Sequence, residues 1–316
     1  MSKFLVTGGA GFIGSNIVDE LIRQNHDVRV IDNFMTGSRQ NLKNVIGKID
    51  LIEGDIRDPG IMRKAASGIE YILHQAAFRS VPKSVENPSL TNDINVTGTL
   101  NVLLAARESG AKRVVYASSS SCYGDADTFP QKEDAFPGPI SPYAVSKLAG
   151  EYYCRTFSAT FGLETVSLRY FNVFGPRQNP ESKYSCVIPA FIFRMLKGEP
   201  AQVDGDGKQA RDFTFVANVV EANIKAAHAQ TKANGEVINV ACGKSYSILD
   251  IVDNLNRLLG KDIKPQFGPA RAGDVRKTHA DITKLKRELG VVPKVNFEEG
   301  LKRTLEWFME NRVELK

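Results

Sequence analysis

The first thirty-two residues constrain the fold most tightly. Phe4-Leu5-Val6-Thr7 is a short apolar run that ends in Gly8-Gly9-Ala10-Gly11-Phe12-Ile13-Gly14. Apolar residues then recur at helical spacing, at Ile13, Ile17, Val18, Leu21 and Ile22. Val28-Arg29-Val30-Ile31-Asp32 reads as a second strand, ending in an acid. Strand, glycine turn, helix, strand and acid in about thirty residues make a βαβ unit built to hold a dinucleotide. Gly8, Gly11 and Gly14 permit the tight turn and a close approach of backbone to pyrophosphate, and Phe12 and Ile13 open a helix whose first N–H groups face the phosphates. Asp32 can accept hydrogen bonds from both adenosine ribose hydroxyls and repels a 2′-phosphate, which favours NAD over NADP. Asn33 and Gly37 lie in the loop that follows, and Arg39 further along it keeps NADP as the other reading.

The alternation continues. Asp50 to Asp55 reads as a strand, with Asp55 and Ile56 at its end, and helical residues follow Pro59. Tyr71 to Ala77 is the next strand; beyond Gln75, the small Ala76 and Ala77 let backbone approach a cofactor, and His74 reads as a packed strand residue. Residues 89–109 form a long helical pattern, in which Asn95 either ties neighbouring strands together or faces solvent. Arg113 to Ala117 is a strand that ends in four serines, Ser118 to Ser121, and Thr165 to Tyr170 is another. Strands separated by helices predict an α/β fold, a Rossmann-type doubly wound parallel sheet covered on both faces. After residue 172 the pattern changes to a loop, helices near 187–197, 218–229, 248–259 and 298–310, and a strand near 236–241. The expected organisation is a cofactor-binding domain at 1–172 and a smaller mixed α/β substrate lobe at 173–316, some of whose segments return to the main sheet.

Ser141-Pro142-Tyr143-Ala144-Val145-Ser146-Lys147 carries the chemistry. Proline favours a helix start, and a spacing of four then sets Tyr143 and Lys147 on one face. An ammonium beside a phenol favours the phenolate, a base. The bland reading of the same seven residues is an ordinary exposed helix start, and Tyr-x-x-x-Lys alone does not choose between them.

Composition removes other classes. The net charge of +5 is modest and acids interrupt every basic run, as in Arg57-Asp58 and Lys286-Arg287-Glu288, so nucleic acid is not expected as a partner. The four cysteines, Cys122, Cys154, Cys186 and Cys242, show neither metal-ligand nor disulfide spacing. No apolar run approaches membrane-spanning length, and the start runs at once into the glycines, so the expectation is a cytoplasmic protein with no membrane or metal partner.

Taken in order, Thr7 to Gly14, the serine-ended strand, Tyr143-x-x-x-Lys147, Leu168-Arg169-Tyr170-Phe171-Asn172-Val173-Phe174-Gly175 and Arg211-Asp212-Phe213-Thr214-Phe215-Val216 resemble the extended short-chain dehydrogenase/reductase family, within it the nucleotide-sugar epimerases and dehydratases. The resemblance covers nearly the whole chain. It implies NAD as cofactor, held by Gly8, Gly11, Phe12, Ile13, Gly14, Asp32, Asn33, Gly37, Asp55, Ile56, Gln75, Ala76, Ala77, Asn95, Ser118, Tyr143, Lys147 and Tyr170. It implies Tyr143 as base on a sugar hydroxyl, Lys147 lowering its pKa and holding the nicotinamide ribose, and Ser119 bonding the same hydroxyl. Tyr123 is structural on this reading. Dehydratases carry an Asp-Glu pair, and the related decarboxylases a glutamate, where this chain has Ser120 and Ser121, which leaves oxidation and reduction at one carbon: a UDP-sugar 4-epimerase working through a 4-keto sugar.

For the UDP-sugar, the resemblance implies Asn172, Arg211 and Arg271 on the diphosphate, with Val187 and Val203 near the uracil. Ser80, Ser120 and Ser121 complete the proposed substrate wall. Thr278 stands where some relatives carry a bulky tyrosine; with the Ser80–Ser84 run it favours UDP-GlcNAc/UDP-GalNAc, with UDP-Glc/UDP-Gal also accepted. Arg79 could serve a carboxylate, so a hexuronic-acid substrate is an alternative, and a non-catalytic NAD-binding sensor is another. The family pattern also implies a homodimer through 89–109 and 142–161, with Leu90, Leu100, Leu104, Tyr152, Phe157 and Phe161 as apolar faces.

Overall fold

The computed structural model describes residues 1–179, 186–230, 233–270 and 275–311. Six strands alternate with helices from the start of the chain: β1 (Lys3–Thr7), β2 (Asp27–Asp32), β3 (Asp50–Glu53), β4 (Tyr71–His74), β5 (Arg113–Ser119) and β6 (Glu164–Tyr170). They form a sheet with one more strand, Asn234–Val240, in the order Asn234–Val240, β6, β5, β4, β1, β2, β3, and every pair in it is parallel. The seventh strand comes from the second half of the chain. It returns to pair with β6, Val240 beside Tyr170.

The pleat explains why both faces are covered. Along β1, Phe4 and Val6 pack into one apolar cluster with Ile17, Val18 and Leu21 of the helix Phe12–Arg23, while Leu5 packs into the other with Ile72, Val114 and Tyr116. Both clusters are buried, so these strands read as continuous apolar runs. Strand order reverses between β1 and β4, which opens a crevice at the carboxyl ends of the two strands.

The long pattern at 89–109 is helix over Pro88–Asn92 and Gly98–Glu108 with a π turn, Asp93–Thr97, between them. Its apolar spacing is uninterrupted in the sequence; what the wide turn adds is an inward place for the polar Asn95. Phe157, expected on a dimer face, is core at 4% exposure, whereas Val145, Tyr152 and Phe161 on the same helix are about half exposed. A short helix at Thr283–Leu289 is an element the spacing did not signal.

Beyond β6 the chain builds three two-stranded pieces: Val173–Phe174 with Thr214–Phe215, Ala210–Asp212 with Ser245–Ser247, and Gln202–Asp204 with Gln266–Gly268. Aromatics hold the first two to the helix Phe297–Glu310. Tyr246 stacks on Phe297 with ring centres 4.1 Å apart, and Phe174 meets Phe215 edge-on at 5.7 Å. Gly300 makes the contact possible, since a Cβ there would stand 2.9 Å from Phe174 and Phe215.

Candidate active site

A cavity of about 500 Å³ occupies the crevice. Its floor is the glycine turn. Gly8 has φ +68°, and a Cβ on it would sit 2.7 Å from the Ala76 backbone; a Cβ on Gly14 would sit 2.2 Å from the Gly8 carbonyl oxygen. Backbone, not side chain, therefore forms this wall, and the helix Phe12–Arg23 points its N-terminus into it. At the end of β2, the Asp32 carboxylate accepts from Ala10 N at 2.9 Å and Phe34 N at 2.8 Å. Burial nevertheless raises its pKa, and those two N–H groups oppose the rise. Arg39 pairs with Glu53 and lies over the Phe34 ring, so it is committed away from a 2′-phosphate. Asn33 donates to Asp55 at 2.8 Å, and Arg57 also pairs with Asp55. Gly8, Gly11, Phe12, Ile13, Gly14, Asp32, Asn33, Gly37, Asp55, Ile56, Gln75, Ala76, Ala77, Ser118, Tyr143, Lys147 and Tyr170 all line this one cavity. The donors, acceptor and backbone cradle fit a dinucleotide.

Asn95 does not line it. Its side chain is 1% exposed: Oδ1 accepts from Phe78 N at 2.7 Å, and Nδ2 donates to Phe78 O at 3.2 Å and Ser146 Oγ at 2.9 Å. It ties the loop after β4 to the Tyr143 helix, which is closer to the tying role than to the solvent-facing one.

The helix Pro142–Phe161 begins where the proline indicates. Ser141 caps it, accepting from Ala144 N at 3.2 Å, and Ser84 accepts from Tyr143 N at 3.1 Å. Gly162, at φ +72°, ends it. Tyr143 lines the cavity wall, and Ser119 stands near enough to its phenol to lower its pKa. Ser119 Oγ also accepts from Ser121 N at 3.2 Å and lies 2.9 Å from Ser121 Oγ.

The spacing predicts an ammonium that stabilises a phenolate, and the geometry corrects this. Lys147 Nζ donates to Ala117 O at 2.7 Å and lies 5.9 Å from the centre of the Tyr143 ring. Burial raises the Tyr143 pKa to about 12, opposed by the Ser119 hydrogen bond and by the charge of Arg79. Burial lowers Lys147 to about 8, opposed by Cys122, Glu151 and Cys154. Desolvation outweighs the charges near the phenol, and in the protein alone Tyr143 is neutral at pH 7.

The substrate-side residues form a separate group. Asn172, at φ +32°, donates to Thr278 Oγ1 at 3.0 Å and Asp212 O at 3.3 Å. Thr278 is 7% exposed, and its Oγ1 also accepts from Asp212 N at 3.1 Å. It thus clamps Asn172. Arg211 is buried beside this clamp, with Nη1 donating to Ala210 O at 2.9 Å. Ser80 caps the helix Val81–Glu86, accepting from Lys83 N at 3.4 Å. Val203 is core at 1% exposure, in the same apolar cluster as Ile248 and Val252. Val187 opens the helix Val187–Leu196, and Ser120 opens the short turn Ser120–Tyr123; neither lines the cavity. Arg271 lies outside the described residues.

Sequence reasoning missed two features. Met35, Asn41 and Trp307 line the cavity, with no motif to mark them. Asp212 is a hub: its carboxylate accepts from Cys242 N and Gly243 N, both at 3.0 Å, and from Ala280 N at 3.2 Å. Burial pushes its pKa up to about 7 against those N–H groups. Among the described residues no group of three metal-ligating side chains occurs, and no helix is long and apolar enough to cross a membrane.

The comparisons agree with this geometry. Residues 4–241 match the model of the NAD dependent epimerase/dehydratase family. A putative UDP-glucose 4-epimerase of Methanocaldococcus jannaschii is 38% identical over 97% of this chain and 98% of its own length. The solved UDP-N-acetylglucosamine 4-epimerase of Methanobrevibacter ruminantium, in complex with UDP-N-acetylmuramic acid, is 39% identical, with TM-score 0.94 over 98% of this chain and 99% of that one. The Thermotoga maritima UDP-glucose 4-epimerase with UDP-glucose is 38% identical, with TM-score 0.93 over the same shares. On motifs, fold and likeness alike, the chain belongs to the NAD dependent epimerase/dehydratase family.

Proposed function

We propose that this protein inverts C4 of a UDP-hexose, chiefly in UDP-GlcNAc/UDP-GalNAc interconversion, with UDP-Glc/UDP-Gal also accepted. The observation that carries the reading is Tyr143 on the cavity wall with Ser119 beside it, close enough to lower its pKa, and with Ser120 and Ser121 where an elimination would need carboxylates. NAD, when bound, supplies the acceptor and then the donor of one hydride. Tyr143, in the phenolate form that the positive charge of a bound nicotinamide would favour, takes the proton of the sugar 4-hydroxyl, directly or through Ser119, and returns it to the other configuration. Ser119 orients that hydroxyl. Lys147, anchored on Ala117 O, holds the ribose. Asn172, Arg211 and Arg271 grip the diphosphate, so that the 4-keto sugar stays bound while it turns.

Sugar choice rests on the smallness of Thr278, which also clamps Asn172. A second reading, a UDP-hexuronic acid as substrate, is favoured by Arg79, whose charge acts on Tyr143 from the cavity wall. We also infer a cytoplasmic homodimer, built on the exposed Val145, Tyr152 and Phe161 of the Tyr143 helix. The test of function is conversion of each UDP-sugar by the purified protein. Growth of the C4 epimer without net NADH supports the reading, and conversion only of a uronic acid supports the second.

A further inference from the structure

We propose that His74 is a positioning residue for Tyr143, acting through a chain of hydrogen bonds that runs in one direction from the end of β1 to the Tyr143 carbonyl. The proposal rests on the reading of Tyr143 as the base.

Each link has a determined sense. Thr99 Oγ1 donates to Asn95 O at 2.6 Å, and a carbonyl can only accept. The Thr99 proton is thereby used, so across the 3.0 Å contact with His74 Nε2 the hydroxyl oxygen must accept, and Nε2 carries the hydrogen. The ring is 1% exposed, and burial, with the charge of Lys147 behind it, holds its pKa down at about 3. A neutral ring protonated on Nε2 leaves Nδ1 bare. Nδ1 therefore accepts from Thr7 Oγ1 at 2.7 Å, while Thr7 Oγ1 itself accepts from Ala76 N at 3.2 Å. Beyond Asn95 the chain continues through Nδ2 to Ser146 Oγ at 2.9 Å, and from Ser146 Oγ to Tyr143 O at 2.7 Å.

The route joins the glycine-turn end of β1, the Ala76 backbone of the cavity wall, the π turn Asp93–Thr97 and the first turn of the Tyr143 helix. Each hydroxyl proton in it is used. The imidazole is the one rigid spacer of the chain, accepting at one edge and donating at the other. Neither His74 nor Thr99 lines the cavity, so their effect on the chemistry passes through the placement of Asn95 and Tyr143.

Thr99→Val tests this, because it keeps the shape while removing both the acceptor for His74 and the donor to Asn95. The assay uses whichever UDP-sugar the wild type converts. With the base misplaced, kcat falls by on the order of a hundredfold while KM changes little. Thr99→Ser restores the hydroxyl and most of kcat. A folded Thr99→Val with wild-type kcat overturns the proposal. A second measurement needs neither variant nor substrate: ¹⁵N NMR of the four histidines in the wild-type protein. His74 is expected neutral and protonated on Nε2 throughout the pH range in which the protein stays folded. A His74 protonated on Nδ1, or one that titrates like an exposed ring, overturns the chain. A wild type inactive on every UDP-sugar would instead sink the epimerase reading, and the tautomer would still decide the wiring.

Discussion

Arg169 and Glu151 form a bidentate ion pair, both N–H···O contacts at 2.8 Å, with each side chain almost wholly buried. Ser118, on the cavity wall, donates to the same carboxylate. The pair thus lies directly behind the cofactor wall and one helical turn from Lys147. Glu151→Gln leaves the Arg169 charge buried without its counter-charge, and the expected loss is about 3–5 kcal/mol of folding stability, read by denaturant unfolding. Replacing both partners with well-packed apolar residues should cost less than the single change.

Tyr143→Phe removes the hydroxyl and leaves the ring. Loss of a positioned acid–base group lowers kcat by about 10²–10⁴-fold. Cofactor binding, followed by titration with NAD, should be little affected, since the phenyl ring still fills its part of the wall. A variant with near-normal kcat would point to a different base.

Thr278 accepts from both Asn172 and Asp212. Thr278→Val keeps the size but orphans the two donors, at an expected cost of about 1–3 kcal/mol in stability. KM for the UDP-sugar should rise and the preference between N-acetylated and plain sugars should stay the same. An unchanged KM and an unchanged stability would mean that Thr278 acts through pocket size alone.

Asp212 titrates near pH 7 when folded and near 3.8 when unfolded. Between those values the folded chain holds a proton that the unfolded chain has lost, so this group's contribution to stability falls as pH rises from about 4 to 7. Asp212→Asn, which cannot titrate, should gain stability relative to the wild type as pH rises through that window. Melting temperatures of both proteins at pH 5 and pH 8 check the sign; an unchanged difference between them would contradict it.

Asp32 is held by two backbone N–H groups where a ribose would bind, and Arg39 is paired with Glu53. A 2′-phosphate would meet a carboxylate, with Arg39 paired elsewhere. Like charges at that distance cost about several kcal/mol, so NADP should bind at least a hundredfold more weakly than NAD, and Asp32→Ser should narrow the gap. Fluorescence titration with both reduced cofactors reads it.

The cofactor half of the fold was legible because local chemistry dictates it. Gly8 and Gly14 mark places where only backbone fits, Asp32 ends a strand, and the apolar runs of buried parallel strands switch cleanly to helical spacing. The return of Asn234–Val240 to the sheet was foreseeable as a tendency, but not its partner, since pairing with β6 is a long-range choice. Asn95 is ambiguous in sequence because a π turn, invisible in the apolar spacing, points it inward. Tyr143 and Lys147 were placed by their spacing, yet the state of the pair was misjudged: four residues of separation say nothing of the Ala117 carbonyl that takes the ammonium.

The most direct test of C4 inversion is incubation of the purified protein, without added cofactor, with UDP-GlcNAc and separately with UDP-Glc, followed by proton NMR of the anomeric signals. The account predicts growth of the matching galacto sugar, faster from UDP-GlcNAc, with no accumulation of NADH. No conversion of either sugar even with NAD added, or a net build-up of NADH with an oxidised sugar, would contradict it.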